Sequence, residues 1–358
     1  MRSRRILIIL AISIAVIFIA NALEFGGRGR AISTSYQAVV CPKGSTGTSL
    51  NYSLPSKRIL IRGVGNKKVK LFKAGQLQVS GQSSAAYIEA QDVSVLGWVT
   101  KPGNWAGAVL CTSPRDSQWF AGGNADISSK GRIVLVNSGL STATVELIAL
   151  SDNAGPVKKT VNVKSNSISE ISLVSLTPGS TATAVKVSLI TGRVSAFMFD
   201  ERGKGLSTLG GDVVNGQTDL AKELVIPAIP VDSNTKMPAI LRIGNPGASD
   251  ADISAQLISK DGNFVPVGLN AAKVSAGRAA NIDIPITQPS NYFGLRITSS
   301  EPIVASVYNK AKVGGSYDFV WSTAADQLQR GKWAVSGLSG KLIVAGDNID
   351  VYLDAIFK

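Results

Sequence analysis

The chain has 358 residues, a formal net charge of +13 and no histidine. This length is sufficient for two or three domains. Without histidine, Ser-His-Asp and Cys-His nucleophile arrangements and imidazole metal ligands are excluded, which leaves only carboxylate and lysine chemistry open to an enzyme. Charged residues make up 17% of the chain, and its richness in Val, Ile, Ser, Thr, Ala and Gly is typical of β-sandwiches with polar turns.

The N-terminal segment predicts export. Residues 1–5 contain three arginines, and the next 18 residues, Ile6 to Leu23, are apolar at all but two positions. A membrane span needs about 20 apolar residues, and basic residues before it favour a cytoplasmic N-terminus. Ala20 and Ala22 also fit a signal peptide cleaved after Ala22. The chain is therefore expected to be a single-pass membrane protein with an extracellular C-terminal region or, alternatively, a secreted protein.

Cys41 and Cys111 are the only cysteines in the sequence. In an exported chain, an isolated pair of cysteines is most simply one disulfide. Metal binding by two thiols would need further ligands, and no CxxC spacing exists. We therefore predict a disulfide between Cys41 and Cys111, no metal site and no cofactor.

One stretch of sequence occurs twice. Gly131–Leu150 has two alternating apolar runs separated by a turn at Asn137, which predicts strand, turn, strand. Ala239–Ile258 repeats this order, and its turn residue Asn245 follows Asn137 by 108 residues (245 − 137). The spacing indicates copies of one β module of about 100 residues, the usual size of an immunoglobulin-like domain.

These patterns predict an all-β fold of tandem immunoglobulin-like antiparallel β-sandwich modules after an N-terminal transmembrane helix. The first module matches the other two least well, so two modules preceded by a different domain is the alternative. The predicted segments are a cytoplasmic n-region 1–5, a transmembrane helix or signal peptide 6–23, a linker 24–35, module 1 with the disulfide 36–126, module 2 127–232, module 3 233–333 and a terminal β-hairpin 334–358.

Several motifs resemble those of an uncharacterised family of actinobacterial envelope proteins. The matching motifs are Cys41-Pro42, Cys111 with Ser113-Pro114, Trp119–Gly123, Val134–Asn137 and Thr144–Leu147. Members of that family have one N-terminal hydrophobic segment and an all-β extracellular region. They are often encoded beside a large membrane glycosyltransferase, so the resemblance implies a part in envelope glycan assembly. No functional residues are established for the family, and none is transferred to this chain.

Two kinds of residue are candidates for contact with a ligand or partner. Trp105 lies in a turn-rich stretch, where an exposed ring would stack on a sugar or a partner protein, although a core position is the alternative. Lys68, Lys70 and Lys73 belong to the densest basic stretch. Lys68 and Lys70 share one strand face and could meet anionic lipid or an anionic cell-wall polymer, or simply protect a sheet edge in solvent.

A carboxylate enzyme is the remaining alternative. Asp200 and Glu201 end a predicted strand in a charged turn, but a glycan hydrolase needs a second carboxyl group close by. The sequence does not place a second carboxyl group near them. We therefore expect a non-enzymatic scaffold or binding protein in cell-envelope assembly, with a carbohydrate or wall-polymer binding module as the alternative and a glycan hydrolase as a weaker one. The expected partners are the cell membrane and a membrane glycosyltransferase or an anionic wall polymer; nucleic acid is not expected.

Overall fold

The computed structural model describes most of the chain after residue 37. The described residues are 38–54, 58–66, 68–73, 75–80, 84–89, 94–101, 105–204, 207–231, 239–259, 262–285, 292–313, 316–325 and 333–334. The predicted n-region, transmembrane segment, linker and terminal hairpin fall almost entirely outside them. Across these ranges, no helix has the length and apolar character required to cross a membrane.

Most of the described residues lie in β-strands and none of them in an α-helix, which confirms the all-β prediction. The first eight strands, called group 1, are β1 (Ala38–Cys41), β2 (Ser49–Ser53), β3 (Ile59–Gly63), β4 (Val69–Phe72), β5 (Gln76–Ser80), β6 (Ala86–Glu89), β7 (Ser94–Lys101) and β8 (Trp105–Leu110). Group 2 comprises β9 (Ser117–Ala121), β10 (Arg132–Asn137), β11 (Ala143–Ser151), β12 (Val157–Val163), β13 (Ser167–Ser172), β14 (Thr183–Thr191), β15 (Val194–Lys204) and β16 (Ser207–Val214).

Group 3 also contains eight strands, one of which is much longer than the others. Its strands are β17 (Ala221–Pro230), β18 (Ala239–Asn245), β19 (Ala251–Ser259), β20 (Gly262–Phe264), β21 (Ala272–Val274), β22 (Arg278–Ile284), β23 (Tyr292–Val313) and β24 (Ser316–Thr323). A two-residue strand, β25 (Trp333–Ala334), pairs in parallel with the start of β7. A 3-10 turn, Leu173–Ser175, interrupts group 2.

The three groups share one strand order. Group 1 forms the sheets β4-β3-β6-β1 and β5-β2-β7-β8, and group 2 forms β12-β11-β14-β9 and β13-β10-β15-β16. In group 3 the first half of β23 lies between β19 and β17, and its second half lies between β18 and β24. Counted by position, each strand has the same neighbours in groups 1 and 2. Group 3 repeats this order when β20 and β21, which both pair with β19, count as its fourth strand, β22 counts as its fifth, and the two halves of β23 count as its sixth and seventh. All these pairs are antiparallel.

The side-chain pattern explains why each group buries a core between two sheets. In β19, Ala251, Ile253, Ala255 and Leu257 are buried, whereas the intervening residues are exposed or half-buried. This alternation is that of a strand with one face toward the core and one toward solvent. The core-facing residues of both sheets of group 3 belong to one contiguous hydrophobic cluster.

The turn asparagines identified from the sequence have the same structural role. The amide of Asn137 donates to the carbonyls of Ser141 and Val163 and accepts the N–H of Gly139. Asn245 makes the equivalent three bonds, to the carbonyls of Ser249 and Val274 and from the N–H of Gly247. Both side chains are fully buried. The 108-residue spacing thus marks equivalent corners of groups 2 and 3.

Strand pairing moves both predicted internal boundaries toward the N-terminus. The strand β9, predicted to belong to module 1, pairs with β14 of group 2. The strand β17, predicted to belong to module 2, pairs with β23 of group 3. In groups 2 and 3 this first strand precedes the repeated strand–turn–strand stretch and pairs with a strand much later in the chain. Local sequence does not show such a long-range pairing.

Neighbouring groups share buried surface. In β10, Ile133 and Leu135 face the core of group 2, whereas Val134 and Val136 belong to the core cluster of group 1. Tyr308, Phe319 and Trp321 of group 3 similarly belong to the cluster of group 2. The outer face of one sheet in groups 2 and 3 is therefore packed against the preceding group, which explains why the run Ile133–Val136 is continuously apolar.

Candidate functional site

The eighth strands of the three groups, β8, β16 and β24, meet at one place, which we call the junction. Each is the edge strand of its sheet. An edge strand carries unpaired backbone N–H and C=O groups, which must find partners when they are buried. At the junction, side chains from a different group provide these partners.

Two aspartates accept these backbone hydrogen bonds. Asp318 on β24 accepts the N–H of Ala106 on β8 at 3.0 Å and that of Gly211 on β16 at 3.1 Å. Asp212 on β16 accepts the N–H of Trp321 on β24 at 2.6 Å. Burial raises the pKa of Asp318, and it raises the pKa of Asp212 well above its ordinary value. A carboxylate of group 3 thus joins all three groups directly.

Small residues allow the strands to come this close. A Cβ atom on Gly211 would lie 2.7 Å from two ring carbons of Trp105 on β8. A Cβ atom on Gly210, whose φ is +119°, would lie 2.5 Å from a carboxylate oxygen of Asp318. Real Cβ atoms do not make such contacts, so the glycines are required by the packing as well as by the backbone angle of Gly210.

A buried ion pair of group 2 contacts group 3 beside the junction. Asp200 is fully buried and accepts hydrogen bonds from the Arg202 guanidinium at 2.9 Å and from the Trp321 indole Nε1 at 3.0 Å. The guanidinium lies over the rings of Tyr308 and Phe319, 4.3 and 4.8 Å from their centroids. Burial lowers the pKa of Arg202, but the charge of Asp200 more than offsets this, and the pKa is raised overall.

A second arginine crosses the same interface. Arg242 on β18 is 3% exposed and donates to the backbone carbonyls of Gly123 and Thr181 in group 2. Its guanidinium lies 4.9 Å from the centroid of the Trp321 ring. Burial, together with the charge of Arg202, lowers the pKa of Arg242 to about 9, so the side chain stays charged at neutral pH. Its partners in group 2 are backbone atoms, and its Nε also donates to the Asn281 side chain of group 3 at 2.9 Å. Arg242 therefore fixes the position of group 3 on group 2.

Charged side chains also join groups 1 and 2. Lys43 of group 1 pairs with Glu170 at 2.6 Å, and Lys101 of group 1 lies 3.5 Å from Glu201. Arg132 lies between the two glutamates and bonds Glu201 at 2.8 Å. Burial alone would raise the pKa of Glu201, but the charges of Arg132 and Lys101 hold it below its usual value. Both interfaces of group 2 therefore contain charge pairs.

The predicted disulfide is present. Cys41 and Cys111 are bonded, are both buried, and have Cα atoms 4.4 Å apart. The bridge closes 70 residues of chain and ties β1 to the residue that follows β8. It therefore connects one edge of group 1 to the strand that enters the junction.

The exposed ring considered for Trp105 is not observed. Trp105 begins a strand, is 5% exposed, and belongs to the core cluster of group 1. Trp119 is also buried. Trp105 lies where β8 crosses β16, so group 2 covers a ring that local sequence alone would place in an open turn. Its indole Nε1 has no hydrogen-bond partner among the described residues.

The predicted basic residues lie together on an exposed edge. Lys68, Lys70 and Lys73 are all exposed, on and beside the edge strand β4. Lys70 is opposite Ile61, which is buried, and Leu71 is opposite Leu60 on the other face. Lys70, and Lys68 two residues before it, therefore project at the core side of the edge. The outer face presents Leu60, Leu71 and Val69, which are 44%, 48% and 57% exposed.

The carboxylates considered for hydrolysis have other partners. The segment Asp200–Gly203 is not a turn but part of β15, and Asp200 is cross-strand from Asp212 on β16. Asp200 is held by Arg202 and Trp321, and Glu201 by Arg132 and Lys101. Within the described ranges, no group of three or more Cys, Asp or Glu residues is arranged to hold a metal ion. The contacts of these groups are structural.

The fold and the junction define a class: an all-β protein of three strand groups joined by buried charged contacts. A family model matches residues 82–346, and the chain belongs to this family, described as a family of unknown function (DUF5719). No curated protein and no solved structure matches the chain. The match begins within group 1 and includes all of groups 2 and 3, so the junction lies inside the family region.

Proposed function

We propose that the protein is a non-enzymatic scaffold in cell-envelope assembly, anchored in the membrane by residues 6–23 with its β region outside the cell. Each strand group is, on this proposal, an immunoglobulin-like sandwich. The observation that carries the proposal is the junction, where Asp318 bonds backbone groups of both other strand groups.

The junction supports a scaffold because it fixes geometry. Linked domains generally move relative to one another unless their interface is large and apolar. Here the interface combines shared core clusters with buried, directional bonds such as Arg242 to Gly123 and Asp212 to Trp321. A protein built in this way holds surfaces of its three groups at constant separations, which is useful for positioning partners and unnecessary for a flexible tether.

The proposed partner is a membrane enzyme that assembles envelope glycan. The test is crosslinking in cells with the tagged full chain carrying a photoreactive residue at Leu71 in group 1 or at Val267 in group 3, both exposed. Mass spectrometry then identifies the adducts. A single membrane glycosyltransferase captured from one position and not the other supports the proposal. Absence of any protein adduct from both positions contradicts it.

A second candidate function is binding of an anionic surface by the edge of group 1. Exposed lysines and exposed aliphatic side chains lie on the two faces of one edge strand, and this combination suits contact with anionic headgroups. Each basic residue near such a surface contributes about 1 kcal/mol. An anionic wall polymer would contact the lysines but not the exposed aliphatic side chains, so binding of lipid and binding of wall polymer can be distinguished.

The test of this candidate uses an environment-sensitive fluorophore on Leu71→Cys, with Val267→Cys as the matched control. The full chain is reconstituted in vesicles with or without anionic lipid. A blue shift at position 71 that needs anionic lipid and disappears in the Lys68→Gln/Lys70→Gln variant supports lipid contact. Equal spectra at both positions in both vesicles contradict it.

A further inference from the structure

A cavity of about 240 Å³ opens at the junction, and residues from all three groups line it. Its walls are formed by Trp98 and Ala108 of group 1, Asp212 of group 2, Asn215 directly after group 2, and Trp321 of group 3. None of the sites considered above uses this space. It is smaller than the 300–1,000 Å³ typical of pockets for drug-sized ligands, so it suits a single ring.

The cavity exists because small residues leave the indole of Trp98 uncovered. Trp98 on β7 is directly opposite Ala108 on β8 and Asn51 on β2. Side chains that are directly opposite project on the same face, so Ala108 and Asn51 flank the ring. Ala106 and Ala108 are too short to cover it, and Trp98 remains half-buried. A flat ring with an open face is a stacking surface.

A backbone donor also faces the cavity. In β8, alternate residues bond β7, and the others direct their N–H groups to the free edge. Of the edge groups, the Ala106 N–H bonds Asp318 and the Leu110 N–H bonds Asn215 at 3.2 Å. Ala108 lies between them on the same edge and lines the cavity, and its N–H has no partner within the described part of the chain.

The two capped positions exclude an added β-strand as the occupant. A peptide that extended the sheet would need the N–H groups of Ala106, Ala108 and Leu110 in succession. Two of the three are already bonded by side chains of other groups. The occupant must therefore be compact, flat on one face and able to accept one hydrogen bond.

We propose that the junction cavity binds one saccharide ring, which stacks on Trp98 and accepts a hydrogen bond from the Ala108 N–H through a ring hydroxyl. The Asn215 amide lies in the same wall and adds a polar contact. Pyranose rings have an apolar face and equatorial hydroxyls, which match an indole beside an edge N–H. This inference goes beyond the scaffold function and does not depend on it, because a structural protein without a partner enzyme could still bind glycan here.

Saturation-transfer NMR on the full chain tests the proposal. The protein is kept in a detergent without a sugar headgroup, and the probes are the methyl α-pyranosides of glucose, galactose and mannose. Transfer to at least one of them is expected. Transfer to none of the three would overturn the proposal.

Variants then locate the binding. Ala108→Leu fills the cavity without removing a core side chain, and we expect it to weaken binding about tenfold or more. Trp98→Ala should have an effect of similar size. Ala154→Leu adds the same side chain at an exposed turn and should leave the affinity unchanged. Binding that survives Ala108→Leu at full strength would overturn the assignment, whatever the effect of Trp98→Ala on folding.

Discussion

The carboxylate of Asp318 accepts a hydrogen bond from the backbone N–H of Ala106, which lies 212 residues earlier in the chain. The other oxygen of the same carboxylate accepts the N–H of Gly211. One side chain of the last strand group thus completes the edges of the other two.

Asp318→Ala should loosen the junction. The change removes the acceptor of two backbone N–H groups, of which that of Gly211 is partly buried and that of Ala106 is exposed. An unsatisfied buried donor costs about 1–3 kcal/mol. We expect a loss of this size in the free energy of unfolding measured in urea. The control is Asp252→Ala, since Asp252 forms only an exposed pair with Lys273 and should change stability by about 0.5 kcal/mol or less. Equal effects of the two variants would contradict the role of Asp318.

Gly211→Ala should be destabilising because the new methyl group meets the buried Trp105 ring at 2.7 Å. Overpacking of this kind costs about 1–3 kcal/mol. Gly155→Ala is the matched control, as a Cβ atom there meets nothing within 4 Å. Urea unfolding of both variants gives the comparison. A fully stable Gly211→Ala protein would show that β8 and β16 are farther apart than described.

The pH dependence of stability should differ in sign between two carboxyl groups. Burial raises the pKa of Asp212 above 3.8, so this group stabilises the folded state at low pH, and the contribution is lost as pH rises through its folded-state pKa. The charges of Arg132 and Lys101 lower the pKa of Glu201 below 4.5, so its contribution is present above that pH and is lost on acidification.

Each group is tested by its own neutral variant over about pH 3 to 8. Relative to Asp212→Asn, the native protein should lose stability as the pH rises. Relative to Glu201→Gln, it should lose stability as the pH falls. If the curves of unfolding free energy against pH run parallel for the native protein and both variants, Asp212 and Glu201 do not have the pKa shifts described.

Asn137→Ala and Asn245→Ala should have similar effects, because the two residues make equivalent sets of three hydrogen bonds. Each variant leaves buried backbone groups unpaired, and a loss of about 1–3 kcal/mol is expected. Asn162→Ala removes an asparagine that bonds only an exposed threonine and should be nearly neutral. If only one of the two corner variants is destabilised, the corners of groups 2 and 3 are not equivalent.

The corner residues show what sequence reasoning can recover. An asparagine before a glycine between alternating runs is a local signal, and it predicted equivalent strands 108 residues apart, as the pairing of β10 and β18 with their neighbours confirms. The disulfide was predictable because the chain offers only one pair of cysteines.

The junction was not predictable, because it depends on contacts between distant strands. Asp200 and Arg202 resemble an exposed charged turn in sequence, and only the approach of Trp321 and Tyr308 from group 3 buries them. Trp105 is buried for the same reason: its cover is supplied by Gly211 of another group.

The shared cores and the Asp318 bonds predict that the three strand groups form one body of fixed geometry. Pulsed electron paramagnetic resonance tests this claim by measuring the distance between spin labels on Lys70→Cys in group 1 and Lys273→Cys in group 3. The labels attach only there, because the two native cysteines are joined to each other. We predict a single narrow distance distribution that broadens when Asp318→Ala is added. A broad distribution in the protein with native Asp318 would contradict the claim and, with it, the scaffold proposal.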